Sequence, residues 1–551
     1  NQALLHGLSR GATALQLILQ PDAFEQSPGV RAVCADDLAT LLKGVKLDAL
    51  PILIDAGAHA SAYGEALLSL AQSSGANCKT LQLMVNCDPA AALATDGSLP
   101  GASEEIYTLA ATQAVQLLTV APQSRALSAD SRVYHAAGAS AAQELACSLS
   151  AALEHLRALE KMGVGIKDAG SQILFRLALD ADIFAGAVKQ RALRVLWSNI
   201  CQACGDASSV DSFRLHAETS TRMLHRFDPW VNQLRTTAAT LAAALGGATY
   251  LSVHGYDEVD ALPSALATRC ARNNQLILQQ ESHLYAVADP LGGSGFAESY
   301  TDQLVTVAWQ AFQEIEAEGG LIASLSAGNL QQRIAEVKAK RLGQIAKRRL
   351  PLTGVSEFPN LEDSPPTGEV IEWETELAAA VARADTRLIE LPDGAPALAN
   401  ALQPQVLGEQ FEALRLQALE ASFTPRVALV TIGKQAQFTA RATFVSNLLA
   451  AGGIHSAACG ELDHSDAAVA AWQETGVDVA ILCGSDDGYK QHATAMASAL
   501  RQAGCQHIYL AGKPGELETT LSEAGVKGYA VMGMDAIAYL QQIHADLGVS
   551  S

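Results

Sequence analysis

Residues 427–459 read VALVTIGKQAQFTARATFVSNLLAAGGIHSAAC, which is an apolar run, a helical pattern and a second apolar run. A strand that leads through a helix to another strand is typical of a parallel sheet. The same alternation continues to the end of the chain, with strands predicted at VALVTI (427–432), IHSAAC (454–459), VDVAIL (477–482), HIYLA (507–511) and YAVM (529–532). Five strands with crossover helices predict a doubly wound, flavodoxin-like domain over residues 425–551, with its ligand edge at the carboxyl ends of the strands.

The first 350 residues also alternate strand-like and helix-like patterns, but with eight strands instead of five. Strands are predicted at ALQLIL (14–19), ILID (52–55), TLQLMV (80–85), RALSA (125–129), ILFRLA (173–178), FRLHAE (213–218), TYLS (249–252) and YAVA (285–288). Eight strand–helix units in succession predict a (β/α)8 barrel, also called a TIM barrel, over residues 1–350. The proline-rich stretch that begins at residue 351 predicts a linker over 351–424 that wraps the exterior.

Composition and charge restrict the functional classes. The formal net charge of −21 argues against partners that are nucleic acids or anionic membrane surfaces. No apolar run reaches the roughly 20 residues that a membrane-spanning helix requires. The 10 cysteines form no disulfide framework and fit a reducing cytosol, so we expect a cytoplasmic protein. The chain begins with Asn1 inside a helical pattern, so we expect natural sequence to precede it.

Longer stretches of the sequence are specific enough to compare with a family. They are YHAAGASAAQELACSLSAALEHLRAL (134–159), SFRLHAETS (212–220), DPWVNQLRTTAATLAAALGG (228–247), DEVDALPSALATRCARNNQLILQQES (257–282), VADPLGGSGFAES (287–299) and TGVSEFP (353–359). In their order and spacing they resemble the methylmalonyl-CoA mutase family, and the resemblance covers essentially the whole chain. It implies a barrel that takes an acyl-CoA and a carboxy-terminal domain that holds adenosylcobalamin. It also implies radical interconversion of methylmalonyl-CoA and succinyl-CoA, in which the cofactor supplies the radical.

The carboxy-terminal domain departs from the catalytic pattern of that family. Catalytic members carry D-x-H-x-x-G after the first strand of this domain, where the His ligates cobalt and the Asp orients it. Alignment on the strand and on Gly433 places Gln435 at the Asp, Gln437 at the His and Ala440 at the Gly. A glutamine amide is a poor cobalt ligand beside an imidazole. The turns that follow the third and fourth strands of the domain also differ from the family pattern, so we expect this cobalamin-type domain to be degenerate.

The barrel departs from the pattern as well. Catalytic members carry S-G-Y-H-x-x-E-A-G-A, whose His polarises the migrating thioester carbonyl. Alignment on residues 137–139 places Val133 at that His and Ala136 at the Glu, while His135 lies two residues later and is interpreted as structural. The R-x-H-x-Q-T-S stretch is better kept, and we expect Arg214, His216 and Glu218 to share one face of a strand as remnant substrate-binding residues.

This pattern of a retained fold with altered focal residues resembles the family's chains that lack the cofactor and pair with a large catalytic subunit. We therefore expect no catalytic residue, metal ligand or cofactor on this chain. Adenosylcobalamin and acyl-CoA are expected on the partner of a heterodimer. Two alternatives stay open: an acyl-CoA mutase chain that uses a cofactor supplied by another subunit, and a regulatory or cofactor-loading adaptor. The adaptor would need a nucleotide site, and the sequence contains no G-x-x-x-x-G-K-[ST] motif.

Overall fold

The computed structural model describes residues 1–19, 29–259, 262–365 and 399–549. It divides into two compact units. The first comprises residues 1–224, 232–338 and 399–405, and the second comprises residues 225–231, 339–365 and 406–549. Residues 366–398, which fall within the linker predicted over 351–424, lie outside the described residues.

The first unit contains a parallel sheet whose strands follow one another in chain order. Its strands are β1 (Leu15–Ile18), β2 (Ile52–Asp55), β3 (Leu83–Cys87), β4 (Arg125–Asp130), β5 (Ile173–Leu179), β6 (Leu215–Thr219) and β7 (Tyr250–Ser252). The helices from the amino terminus onward are α1 (Gln2–Ser9), α2 (Ala35–Leu41), α3 (Ala60–Ser73), α4 (Pro89–Asp96), α5 (Ser103–Val120), α6 (Arg132–Ala136), α7 (Ala141–Lys161), α8 (Ile166–Ser171), α9 (Ile183–Ala203), α10 (Pro229–Leu245), α11 (Ala265–Gln280), α12 (Gly295–Ala317), α13 (Leu321–Ala327) and α14 (Asn329–Ala346).

The sheet curls so that its two edges approach each other. Ser252 of β7 donates a 2.5 Å hydrogen bond to the side-chain carbonyl of Gln16 in β1. Inside the curl, Leu53, Met84 and Leu174 form an apolar cluster. Because side chains alternate along a strand, the positions two residues further along β2 and β5 also face inward, and they are polar. The interior is therefore apolar at depth and charged at the carboxyl ends of the strands.

The predicted eighth strand at 285–288 is wrong. Among the described residues the sheet of the first unit has seven strands, and Leu284–Ala286 forms a 3₁₀ turn instead. His283 precedes the turn with φ 52°, which redirects the chain after α11. Tyr285 and Val287 are 75% and 59% exposed, so the β-favouring side chains of this stretch gain no burial from strand formation. The remaining architecture is an α/β near-barrel.

The second unit contains a parallel sheet of five strands in the order β12-β11-β10-β8-β9, which is the doubly wound order predicted for a flavodoxin-like domain. The strands are β8 (Arg426–Thr431), β9 (His455–Ala458), β10 (Val479–Cys483), β11 (His507–Ala511) and β12 (Val526–Ala530). The helices are α15 (Glu409–Glu420), α16 (Gln435–Ala451), α17 (Ser465–Thr475), α18 (Thr494–Gln502), α19 (Glu518–Glu523) and α20 (Ala536–Leu547). Between β10 and α18 lie a short helical turn, Asp486–Gly488, and a π-helical turn, Tyr489–Ala493.

Helices cover both faces of the five-stranded sheet, as alternation along β8 shows. Val427 and Leu429 belong to a core cluster with residues of α15, α16 and α20, whereas Ala428 and Val430 belong to a cluster with residues of α17 and α18. Burial on both faces explains why β8 reads as a continuous apolar run. Across the described ranges, none of the helices combines the length and apolarity that crossing a bilayer requires.

Candidate functional site

Arg132 lies at the centre of an ionic cluster at the carboxyl ends of the near-barrel strands. Its guanidinium nitrogens lie 2.8 Å from Asp55 of β2, 2.6 Å from Asp130 of β4 and 2.6 Å from Glu218 of β6. The arginine is the first residue of α6, so the turn after β4 directs it into the strand-end region. One side chain thereby joins three separate strands across the region where a barrel enzyme places its substrate.

Arg176 of β5 forms a second layer beneath Arg132. It is buried and donates hydrogen bonds to Asp55 at 2.9 Å and to Asp130 at 3.0 Å. Its Nε also lies 3.3 Å from Nδ1 of His216. Burial and then the charge of Arg176 lower the pKa of His216 to about 3. At neutral pH, His216 is therefore an uncharged imidazole that bonds to Ser252 at 2.9 Å.

Glu218 is held as a carboxylate by positive neighbours. Burial alone would raise its pKa, but Arg132 and a hydrogen bond from His254 outweigh burial and lower the pKa well below the usual value. His254 Nε2 lies 3.0 Å from Glu218, and Nδ1 lies 3.2 Å from Glu258. Burial would lower the pKa of His254, but the bonds to Glu218 and Glu258 raise it to about 10. The site thus pairs its own charges internally.

The three residues predicted to be remnants of a substrate site, Arg214, His216 and Glu218, do not lie together. His216 and Glu218 are both in the inward-facing set of β6, as their shared period predicts. Arg214 precedes β6, and its guanidinium donates to the backbone carbonyls of Asp211 and Phe213 at the opposite end of the strand. The described contacts of Arg214 therefore do not include the ionic cluster around Arg132.

Val133, the residue aligned with the catalytic His, lies in α6 and packs against the main core of the unit. His135 in the same helix is buried, with Nδ1 2.7 Å from Glu144 and Nε2 2.7 Å from Ser220 Oγ. Ser, His and Glu at these distances resemble a hydrolase triad. However, Nε2 also lies 3.4 Å from Asp180, and Glu144 is shared with Lys189 at 2.6 Å. His135 is thus enclosed in a buried polar network of its own, which favours its structural interpretation.

The three degenerate cobalamin-motif positions lie at the amino-terminal end of α16. Gln435 is the first residue of that helix, and its backbone N–H donates to Glu461 at 3.0 Å. The side-chain carbonyl of Gln437 accepts the backbone N–H of Lys434 at 2.7 Å, which caps the helix. Ala440 is exposed one turn later. The amide of Gln437 is thus turned back onto its own backbone.

Arg441, the residue after Ala440, closes the crevice beside these positions. Its guanidinium donates to the carbonyl of Gly484 and to the carboxylate of Asp486, both in the turn after β10. The guanidinium carbon lies 4.6 Å from the ring centre of Tyr489. A Cβ built on Gly512, in the turn after β11, would lie 3.0 Å from Arg441 Nε. The side chain of Arg441 therefore fills the space between the turns that follow β8, β10 and β11.

This crevice does not fit the corrinoid cofactor that the sequence resemblance implies. A cobalt ligand at position 437 would have to replace the capping bond of Gln437, and any cofactor group that enters the crevice would have to displace Arg441. Across the residues that the structure describes, no group of three or more His, Cys, Asp or Glu side chains could hold a metal ion. The chemistry that the domain offers at this edge is a cation–carboxylate pair and backbone carbonyls.

Three arginines with central contacts at the strand ends of the two sheets were not identified from the sequence. They are Arg132 and Arg176 in the first unit and Arg441 in the second. Arg132 had one available signal, because it follows a strand that ends in Asp130 and directly precedes the aligned Val133. Arg176 lies inside an apolar strand, where an unexplained charge indicates an interior partner. Arg441 had no comparable signal, because its partners are 43 and 45 positions away along the chain.

Comparison with known proteins gives a consistent result. The family model described as methylmalonyl-CoA mutase matches residues 26–390. A methylmalonyl-CoA mutase small subunit of Streptomyces virginiae is 37% identical, over 100% of this chain and 83% of its own length. A probable methylmalonyl-CoA mutase small subunit of Mycobacterium bovis is 36% identical, over 93% of this chain and 77% of its own length. The corresponding small subunit of Propionibacterium freudenreichii subsp. shermanii is 31% identical, over 100% of this chain and 81% of its own length.

Proposed function

This chain belongs to the methylmalonyl-CoA mutase family, and from that premise we propose that it is a non-catalytic subunit of an adenosylcobalamin-dependent methylmalonyl-CoA mutase. A large catalytic chain of the same family is the proposed partner in a heterodimer. In this proposal the partner binds adenosylcobalamin and acyl-CoA and interconverts methylmalonyl-CoA and succinyl-CoA in the cytoplasm. The role of this chain is to stabilise and orient that partner.

The proposal rests on the contacts of Gln437, the residue aligned with the cobalt-ligating His. Gln437 caps its own helix through Lys434, and the neighbouring crevice is filled by Arg441. A cobalt-binding domain needs both a nitrogen ligand that is free to coordinate and an open slot beside it. The carboxy-terminal domain offers neither at this edge, which supports a partner as the carrier of the cofactor.

The near-barrel supports the same proposal through its electrostatics. Arg132, Arg176 and His254 are cations at the strand ends, and each is already paired with a carboxylate. An acyl-CoA carries negative charge, so it would have to displace a carboxylate such as Glu218 or Asp55 from these cations. Displacement of a partly buried partner from such a cluster costs several kcal/mol.

The alternative proposal is an acyl-CoA mutase chain that uses a cofactor supplied by another subunit. It differs in one measurable property, since it requires acyl-CoA to bind this near-barrel with about micromolar affinity. Isothermal titration of the isolated chain with methylmalonyl-CoA and succinyl-CoA addresses that point directly. We expect no saturable heat in either titration.

The main experiment is co-expression with a family member that contains D-x-H-x-x-G, followed by purification of the complex and cobalt analysis. We expect a one-to-one complex that contains one cobalt per two chains and interconverts the two thioesters. The isolated chain with added adenosylcobalamin is expected to be inactive. Two cobalt atoms per pair of chains, or turnover by the isolated chain, would refute the proposal.

A further inference from the structure

The crevice that contains Arg441 lies at a topologically special place in the second unit. In the order β12-β11-β10-β8-β9, successive crossovers run in opposite directions from β8, so the switch point lies between β8 and β10. Open α/β sheets bind their ligands at this point, outside the carboxyl ends of the strands. Arg441 projects from the helix after β8 and reaches the turn after β10, so it occupies the switch point itself.

The surroundings of the guanidinium match its chemistry on three sides. The carbonyl of Gly484 accepts from one terminal nitrogen, and the carboxylate of Asp486 accepts from the other. The ring of Tyr489 lies beneath the guanidinium carbon at 4.6 Å, a cation–π distance. A planar cation with a forked set of donors satisfies all three groups at once, whereas an ammonium ion does not.

Tyr489 is itself fixed by its hydroxyl, which lies within hydrogen-bond distance of three backbone groups, so the floor of this crevice is preorganised. Its hydroxyl lies 2.6 Å from the carbonyl of Ala511 and 3.1 Å from that of Leu482, and it accepts the N–H of Gly484 at 3.1 Å. The hydroxyl therefore joins the turns after β10 and β11. Tyr489 is the first residue of a π-helical turn, and such turns are frequent at functional sites.

Gly512 permits the close approach of the turn after β11. It has φ 107°, and a Cβ at this position would lie 3.0 Å from Arg441 Nε and 3.2 Å from Arg441 Cζ. A larger residue would therefore meet both backbone strain and the guanidinium group. Burial lowers the pKa of Arg441, but the hydrogen bond to Asp486 and the electrostatic interactions with Tyr489 and Asp486 outweigh that effect and raise it, so the side chain remains a cation.

We propose that the switch-point crevice of this domain is a guanidinium-binding site filled in cis by Arg441. The arginine acts as a tethered ligand that holds together the turns after β8, β10 and β11. This role of Arg441 is separate from the proposed subunit role and requires no partner chain.

The test is chemical rescue, followed by hydrogen exchange and mass spectrometry of the full chain. Arg441→Ala is expected to speed amide exchange in residues 482–490 and 511–515 about tenfold, because these turns lose their shared contact. Millimolar methylguanidinium should restore slow exchange by entering the vacated crevice. Methylammonium has the same charge without the fork and should not restore it.

Arg501→Ala provides the matched control, because Arg501 lies in α18 of the same unit and contacts only a backbone carbonyl at 3.3 Å among its described hydrogen bonds. Its exchange in residues 482–490 should equal that of the wild type. Should Arg441→Ala fail to fold, Arg441→Lys replaces it, with intermediate protection that methylguanidinium does not improve. Unchanged exchange in Arg441→Ala, or equal rescue by methylammonium, would overturn the proposal.

Discussion

Arg132 Nη1 lies 2.6 Å from Glu218 Oε2, so the turn after β4 is tied to β6 through the strand-end region of the near-barrel. The same arginine contacts Asp55 and Asp130, and the three carboxylates are balanced by Arg132, Arg176 and protonated His254. A cluster of this kind adds little net stability when it is complete, but removal of one member leaves an uncompensated charge. The free energy of unfolding should therefore fall when any one charged member of the cluster is removed.

Replacement of Glu218 by Gln tests whether this cluster is structural. The change restores the amide that the family pattern has at this position, yet it leaves Arg132 and His254 without their shared carboxylate. We expect the free energy of unfolding from urea titration to fall by about 2–4 kcal/mol, since the side chains of Arg132 and Glu218 are only 17% and 14% exposed. No binding of succinyl-CoA should appear.

Glu258→Gln is the matched control for that prediction. Glu258 contacts the other nitrogen of His254 at 3.2 Å, is more exposed than Glu218 and has no described contact with Arg132. Its replacement should lower stability by less than about 1 kcal/mol. Equal losses for the two variants would show that Arg132 contributes nothing through Glu218.

The raised pKa of His254 predicts a specific pH dependence. A histidine whose folded pKa is about 10 against an ordinary value of 6.5 stabilises the fold fully below pH 6.5. That contribution is lost as pH rises through about 10. The difference in free energy of unfolding between wild type and His254→Gln should therefore shrink by roughly 1–3 kcal/mol between pH 6 and pH 10. A difference that is constant over this interval would contradict the assignment.

Glu144 predicts a pH dependence of stability that is opposite in sign to that of His254. Burial raises its pKa, but His135 and Lys189 outweigh burial and lower it to about 2. Its stabilisation is therefore present above the ordinary value of 4.5 and is lost as pH falls toward 2. Glu144→Gln should lose about 3 kcal/mol at pH 7 and show a shallower acid-unfolding profile in circular dichroism. Glu104→Gln removes an exposed pair with Lys161 and should change stability by less than about 0.5 kcal/mol.

Sequence patterns predicted local elements well and long-range contacts poorly. The strands of the doubly wound domain were confirmed most closely where a buried apolar run is bounded by turns, as VALVTI and HIYLA show. The predicted YAVM (529–532) overlaps β12 only at Tyr529 and Ala530, because the actual strand is less buried and begins at Val526. The stretch YAVA carries the same local signal, yet its surroundings expose it, so periodicity alone gave a wrong strand. Ion pairs such as Arg132–Glu218 connect residues 86 positions apart and leave no periodic trace. Loss of a motif was visible in sequence, whereas the side chain that fills the vacated space was not.

Reconstruction of the cobalt-ligating motif separates motif loss from crevice closure. The triple variant Gln435→Asp, Gln437→His, Ala440→Gly restores D-x-H-x-x-G but leaves Arg441 bonded to Gly484 and Asp486. We expect this variant to retain no cobalamin after desalting, as judged by the visible corrin absorbance, because the slot beside the new histidine is still filled. Its matched control is the same variant with Arg441→Gly in addition, in which any corrinoid binding should first appear. Stoichiometric corrin on the triple variant alone would show that the three motif residues, and not the arginine, decide whether this domain can take the cofactor.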